Sequence, residues 1–544
     1  MAAVSVSEQH DVVVLGAGVA GIYQIKCLLD LGIDAIVLEA DEDLGGTWYR
    51  NRYPGCRFDS ESYTYGYSFS RELLDEWHWN ERFSSQPENL RYLNFVADKF
   101  NLRPHMRFGQ RVAAMTWHDE HQQWELAMID GSTYRARVVI SGVGVLSIPT
   151  LPTYPGMDDF RGDSFHTFHW PKEPLDLADK RVGVIGTGAT GIQVISEVAK
   201  TAQHLTVFQR RPNWSTPLNN APISADEMAD IRQRYDEIFA ACDSSPNGFE
   251  HLPDRRGFWN LTPEERHATW DELYASPGFA MLAANFVEIF RDVEANREVS
   301  EYVANRIRQR VDDPVVAEKL IPTDHGFGTQ RLPLETRYFE TYNQPNVALV
   351  DVSETPIEQI TASGVTTSDG HVDLDVLVYA TGFDAITGAY DRIAITGVGG
   401  QTLGEKWADT PRTYLGIMSA GFPNLFMLAG PQSVSGSTNF PRAIQNTVNW
   451  VSALVAHMNQ GGYTRVEANL EAEESWVGEV MRQYGKMLQP RSKGWFAGYN
   501  SNIEGREAGT IRYQAYFGGA PKYDALLRDA ATEGYPNLTF ANRP

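Results

Sequence analysis

The chain has 544 residues, 42% of them hydrophobic and 22% charged; 70 acidic against 47 basic residues give a formal net charge of −23. Ordinary domains run to about 100–200 residues, so the length calls for several, and the composition excludes a disordered chain. The acidic balance argues against nucleic acid or anionic membrane as the main partner, because phosphates would be repelled, but it leaves room for a local basic pocket.

The N-terminal residues carry no basic region followed by a long apolar one, and no stretch of the chain reaches the roughly 18 apolar residues of a membrane span. A cytoplasmic protein is expected. Residues 11–15, DVVVL, form a short apolar run suited to a strand buried on both faces. GAGVAG follows at residues 16–21, then a helix to Leu31, a stop at Gly32 and a second strand that ends in Glu39. This is a βαβ unit. The three cysteines, Cys27, Cys56 and Cys242, include no C-x-x-C pair, which excludes a disulfide framework, a zinc ribbon and the usual redox dithiol. Residues 107–116, 124–129 and 133–140 read as antiparallel strands with a turn at Asp130-Gly131. A Pro-rich stretch, residues 149–155, marks a boundary. The first pattern then recurs: a strand at 181–185, GTGATG at 186–191, a helix to about Lys200, and a strand that runs into Gln209-Arg210-Arg211. From about 224 to 320 charged helical stretches predict a helical insertion. Strand signals return at 347–350 and 376–380, and the last third is mixed.

A Gly-x-Gly-x-x-Gly turn lets the backbone approach a pyrophosphate and aims the unpaired N–H groups of a helix N-terminus at it. Gly16, Gly18 and Gly21 sit in that context, and Glu39 lies where a carboxylate accepts both hydroxyl protons of an adenosine ribose. The second cradle is Gly186, Gly188 and Gly191, with Thr187 and Gln193 beside it. Its next strand ends in Gln209, Arg210 and Arg211. A carboxylate there would repel a 2′-phosphate, whereas guanidinium groups pair with one. The two cradles therefore predict FAD in the first and NADPH in the second, with electrons passing from nicotinamide to flavin. Without a dithiol the final acceptor is oxygen or an external molecule.

Just before the second cradle the chain reads FRGDSFHTFHWP, with Phe160, Gly162, His166, Trp170 and Pro171 at fixed spacing. This resembles the fingerprint of Baeyer–Villiger monooxygenases; the neighbouring heteroatom-oxidising flavin monooxygenases have Tyr or Phe in place of Trp170. The resemblance extends over most of the chain. GGTWYRNRYPGCRFD at 45–59, FGTQRLPLETRYFETYN from 327, YATGFD at 379–384, KGWFAGYN around Trp495 and PQSVSGSTNF at 431–440 all match family segments.

The resemblance implies an α/β fold of two Rossmann-like domains with a helical insertion. An FAD domain would comprise 1–149 and 384–544, an NADP domain 150–215 and 331–383, and the insertion 216–330. It implies an NADPH- and O2-dependent conversion of ketones to esters or lactones, through a flavin C4a-peroxide and a tetrahedral (Criegee) intermediate. Arg331 would stabilise negative charge on oxygen, as a preorganised cation can, with Asp59 orienting it. Trp48 and Tyr65 would wall the flavin, or else serve as plain core aromatics. Trp495 would reach the nicotinamide cofactor, and Ser435, Gly436 and Ser437 would line the substrate site. His166 is implied in structure or domain motion rather than as a base. A sulfur- or nitrogen-oxidising flavin monooxygenase and a non-catalytic dinucleotide sensor are the alternatives. Ketone and O2 are the expected partners, no metal is expected, and the chain is expected as a monomer or homodimer.

One position departs from the family. Where a Lys commonly precedes the catalytic arginine and helps hold the 2′-phosphate, this chain has the uncharged Gln330. NADPH preference is then expected to rest mainly on Arg210 and Arg211, with a smaller NADPH/NADH ratio than is usual. Replacing both by Ala should raise the NADPH Michaelis constant about tenfold or more, and an unchanged constant would remove them from recognition.

Overall fold

The computed structural model describes residues 7–434, 438–506 and 510–542. The strand Ser7–Leu15 lies at the centre of the first sheet, parallel both to Ala35–Leu38 and to Thr133–Ser141. Its alternating side chains serve two cores. Val12 and Val14 pack with Ile22, Ile25 and Leu28, whereas Val13 and Leu15 pack with Trp117, Trp124, Leu126 and Val139. That two-sided burial explains why the run is continuously apolar. Val112–His118, Gln123–Met128 and Thr133–Ser141 form the expected antiparallel meander.

The strand expected at 107–116 is divided. Met106–Arg107 pairs with Val37 and Leu38 at the far edge of the sheet, and the meander begins at Val112. Between them the N–H groups of Gly109 and Gln110 bond the carbonyls of Asp41 and Glu39, which turns the chain away from that edge toward the meander.

The last third of the chain returns to this sheet. Leu425–Met427 pairs with residues 139–141, and Ala394–Thr396 with residues 114–116, both parallel. The helix Phe440–Gly461 packs on the helix Val19–Asp30, where the Tyr23 hydroxyl donates to Asn449 and the Gln24 amide to Ser452.

A second parallel sheet has Arg181–Ile185 near its middle. On one side lie His204–Gln209 and then Val347–Asp351; on the other lie Val376–Tyr379 and then Asp163–His166. Beside it sits a small antiparallel sheet, residues 357–373. Between the two parts of the second sheet come the helices Ala225–Ser244, Pro263–Ala275 and Val293–Arg310. Each begins at a side-chain cap: Ser224 accepts from Glu227 N–H, Thr262 forms a capping box with Glu265, and Asp292 accepts from Glu294 and Ala295. The helical region leaves and re-enters through a neck where Thr216–Pro217 pairs with Leu334–Glu335. Among the described residues no helix is long and apolar enough to cross a membrane.

The FRGDSFHTFHWP segment is explained by packing. Asp163–His166 is the edge strand, with Gly162 in the bend that enters it; Phe160 packs against the cluster that includes Ile185, Phe208 and Leu377, and Trp170 stands edge-on to Phe165 at 4.9 Å. His166 is buried with both ring nitrogens engaged: Nε2 donates to the Gly382 carbonyl at 3.1 Å, and Nδ1 accepts from Phe168 N–H at 3.1 Å. Only a neutral ring can do both. Burial accordingly holds it at about 4, below its ordinary 6.5, in spite of the Gly382 carbonyl. The fold therefore favours the unprotonated form. Stability from this group is complete above pH 6.5, and it is lost as pH falls through 6.5 toward 4, where the unfolded chain takes the proton first. His166→Ala should cost about 2 kcal/mol at pH 7. In urea unfolding at decreasing pH, the gap from the unsubstituted protein should narrow; a constant gap would take His166 out of the acid response.

Candidate functional site

The two cradles share one geometry. Gly16 and Gly186 take φ of +93° and +109°, and a Cβ on either would come within 2.6 Å of a backbone carbonyl, Gly142 or Ala380. Only glycine fits there. Gly18 and Gly188 stand at the N-caps of Val19–Asp30 and Ala189–Val198, and neither helix has a side-chain cap or an acidic residue in its first turn. Gly21 and Gly191 let each helix press on the carbonyl of the first glycine. First-turn N–H groups without caps, next to positions where side chains are excluded, fit the pyrophosphate of a dinucleotide.

At the first cradle Glu39 is buried, and its carboxylate accepts from Ala17 N–H at 2.6 Å and Asp41 N–H at 2.8 Å. Burial raises its pKa even though the Ala17 N–H opposes this. It lies against the glycine loop, as a ribose-binding carboxylate should. Trp48 and Tyr65 are joined by an indole N–H to hydroxyl bond of 2.9 Å, and Phe58 stacks on Tyr65 at 4.2 Å, so three rings form one wall. Asp59 is the next residue in the chain.

Asp59 is 3% exposed and is ion-paired with Arg331, whose side chain is 37% exposed. The contact runs through Nη1, which also donates to the Leu332 carbonyl at 3.0 Å. Among the described residues no protein acceptor is assigned to Nε or Nη2. The Phe279 ring lies 5.7 Å below the guanidinium. One side of the cation is thus anchored and the other remains able to donate. An arginine held in this way can stabilise negative charge on a reacting oxygen without reorganising.

At the second cradle the Thr187 hydroxyl donates to the Arg211 carbonyl at 2.9 Å. Arg211 pairs with Asp324 at 3.3 Å and lies over the Tyr499 ring at 5.2 Å, and Arg210 bonds the Ser501 hydroxyl. Gln209 is turned inward, donating to the Lys319 carbonyl at 2.6 Å. Gln330 contacts the Lys493 carbonyl at 3.4 Å, next to Gly494 and Trp495. Both arginines and Gln330 therefore meet the C-terminal loop that carries Trp495, whose ring lies tilted against Phe496 at 4.1 Å. Gln193 has its amide bonded to Tyr53 and Arg57.

Phe160, Gly162, His166 and Trp170 belong to the second sheet, as described above. Ser435, Gly436 and Ser437 lie outside the described residues. Phe279, Asp324 and Ser501 carried no sequence signal, and Tyr499 stood inside the KGWFAGYN segment without being marked. Tyr53 and Phe58 stood inside the 45–59 segment, but nothing in its spacing marked them. Among the described residues no group of three or more His, Cys, Asp or Glu side chains could hold a metal ion.

Comparison with known proteins agrees with this geometry. The family described as flavin-binding monooxygenase-like matches residues 9–219. A 2-oxo-Δ3-4,5,5-trimethylcyclopentenylacetyl-CoA monooxygenase of Pseudomonas putida is 42% identical over 98% of this chain and 98% of its own. The acetone monooxygenase (methyl acetate-forming) of Gordonia sp. is 39% identical over 98% and 99%. The crystal structure of OTEMO in complex with FAD and NADP superposes with a TM-score of 0.94 at 42% identity, over 98% of this chain and 100% of that one. With this identity over nearly its whole length, the chain belongs to the Baeyer–Villiger monooxygenases.

Proposed function

We propose that this protein is an NADPH- and O2-dependent flavoprotein that inserts one oxygen atom beside a ketone carbonyl and releases an ester or lactone. The observation that carries the reading is the Arg331–Asp59 pair, anchored on one side and, among the described residues, open on the other. Gly16, Gly18, Gly21 and Glu39 would hold FAD, with Trp48, Tyr65 and Asp59 beside its ring system. Gly186, Thr187, Gly188, Gly191, Arg210 and Arg211 would hold NADPH, with Gln330 and Trp495 at the loop that meets them.

Bound FAD, reduced by NADPH, supplies the activated oxygen. The protein's own part is electrostatic and geometric. Arg331 is permanently protonated, so it needs no partner to charge it, and its Nε and Nη2 groups, without an acceptor among the described residues, are the donors for oxygen that gains charge as the ketone carbonyl becomes tetrahedral. Asp59 fixes the guanidinium plane through Nη1. The Trp48–Phe58–Tyr65 wall keeps water from that side of the site. His166, with both nitrogens engaged, holds the fold rather than moving protons.

The division into an FAD part (1–149 and 384–544), an NADP part (150–215 and 331–383) and an insertion (216–330) belongs to the same proposal. So do a cytoplasmic location and a monomer or homodimer.

A ketone panel followed by NADPH consumption and product mass tests the function. A product one oxygen heavier than its ketone is expected; NADPH loss that yields only hydrogen peroxide with every ketone would overturn the reading. Arg331→Ala should still permit flavin reduction but lower ester formation by a factor of about 10²–10³ or more. Retained ester formation would remove Arg331 from the chemistry.

A further inference from the structure

Gln193 lies on the second-cradle helix, Ala189–Val198, yet its side chain is engaged with the segment that belongs to the first cradle. Its Oε1 accepts from the Tyr53 hydroxyl at 2.9 Å, and its Nε2 donates to the Arg57 carbonyl at 3.0 Å. Between the two anchors Gly55 lies flat on the helix: a Cβ there would come within 2.8 Å of the Gln193 carbonyl oxygen. Tyr53 and Cys56 are buried, and burial raises the Tyr53 pKa, which keeps the hydroxyl a donor.

Three contacts thus pin residues 53–57 to the helix that starts at Gly188. Asp59 follows two residues later, and Asp59 holds Arg331. The Arg331 guanidinium is positioned relative to the second cradle through this short path, and a carboxamide with both ends bonded fixes distance and rotation together. We propose that Gln193 and Tyr53 are positioning residues, which register the second-cradle helix against the segment ending in Asp59 and so place Arg331 for oxygen transfer. This rests on the role given to Arg331 above.

The test uses the FAD-loaded full chain with Gln193→Leu, Tyr53→Phe and both together. Amide hydrogen exchange of residues 55–59 should quicken about tenfold in each single variant. The double variant should be no worse than Gln193→Leu alone, because that substitution already removes the Tyr53 bond together with the Arg57 one. FAD content should be unchanged. In turnover of the Tyr53→Phe variant, the rate of flavin reduction should hold while the share of NADPH oxidised to hydrogen peroxide rises severalfold, a split that general destabilisation would not produce. Unchanged exchange at 55–59, additive effects in the double variant or an unchanged peroxide share would each overturn the proposal. Should the unsubstituted protein oxygenate no ketone, the reading of Arg331 fails, and the exchange measurement alone decides whether the tether exists.

Discussion

A buried carboxylate constrains this structure more than any other single group. Asp59 lies at the end of the 45–59 segment, almost without solvent, and a lone charge there is costly unless it is paired. Its cation is 272 residues further along the chain. For the pair to form, the helical region must leave the second sheet, fold, and come back in register. The neck does this: Leu334–Glu335 pairs with Thr216–Pro217 only three residues after Arg331. Glu335 is itself buried and bonds Arg310 at 2.7 Å, so the returning chain is tied to the last residue of the helix Val293–Arg310. Two buried carboxylates, each met by an arginine from another segment, thus locate the Arg331 cation.

The parts that were legible in the sequence are those whose physics is local. A strand, a glycine turn and a helix follow one another within about thirty residues, and the glycines are required by backbone geometry that no tertiary context can relieve. Both cradles, the meander and the helical region were therefore readable, as was the small antiparallel sheet in principle, since Asp369-Gly370 is a hairpin signal that went unused. The division of the 107–116 strand was not readable, because it depends on the carbonyls of Glu39 and Asp41. Arg331 and Asp59 were reached through family likeness; no spacing rule joins residues so far apart. Phe279 and Tyr499 face the two arginine sites from segments with no period that would mark them, and nothing in the spacing of Gln193, a residue marked by its place beside the second cradle, points to its bond with Tyr53, 140 residues away.

The net charge of −23 takes on a more specific meaning at the second cradle. Arg211 is paired with Asp324 at the surface, and such exposed pairs are worth about 0–1 kcal/mol. Asp324 can therefore keep the guanidinium extended without holding it against a dianionic phosphate, which offers more charge and bidentate oxygens. The same exchange would give a nucleotide lacking that phosphate no comparable gain. Arg210 and Arg211 also touch Ser501 and Tyr499, and Gln330 touches Lys493, so an anion at this edge meets the C-terminal loop and the returning chain at once. Because Arg331 is the residue after Gln330, the phosphate end and the reacting end proposed for the site would be joined through a single peptide bond.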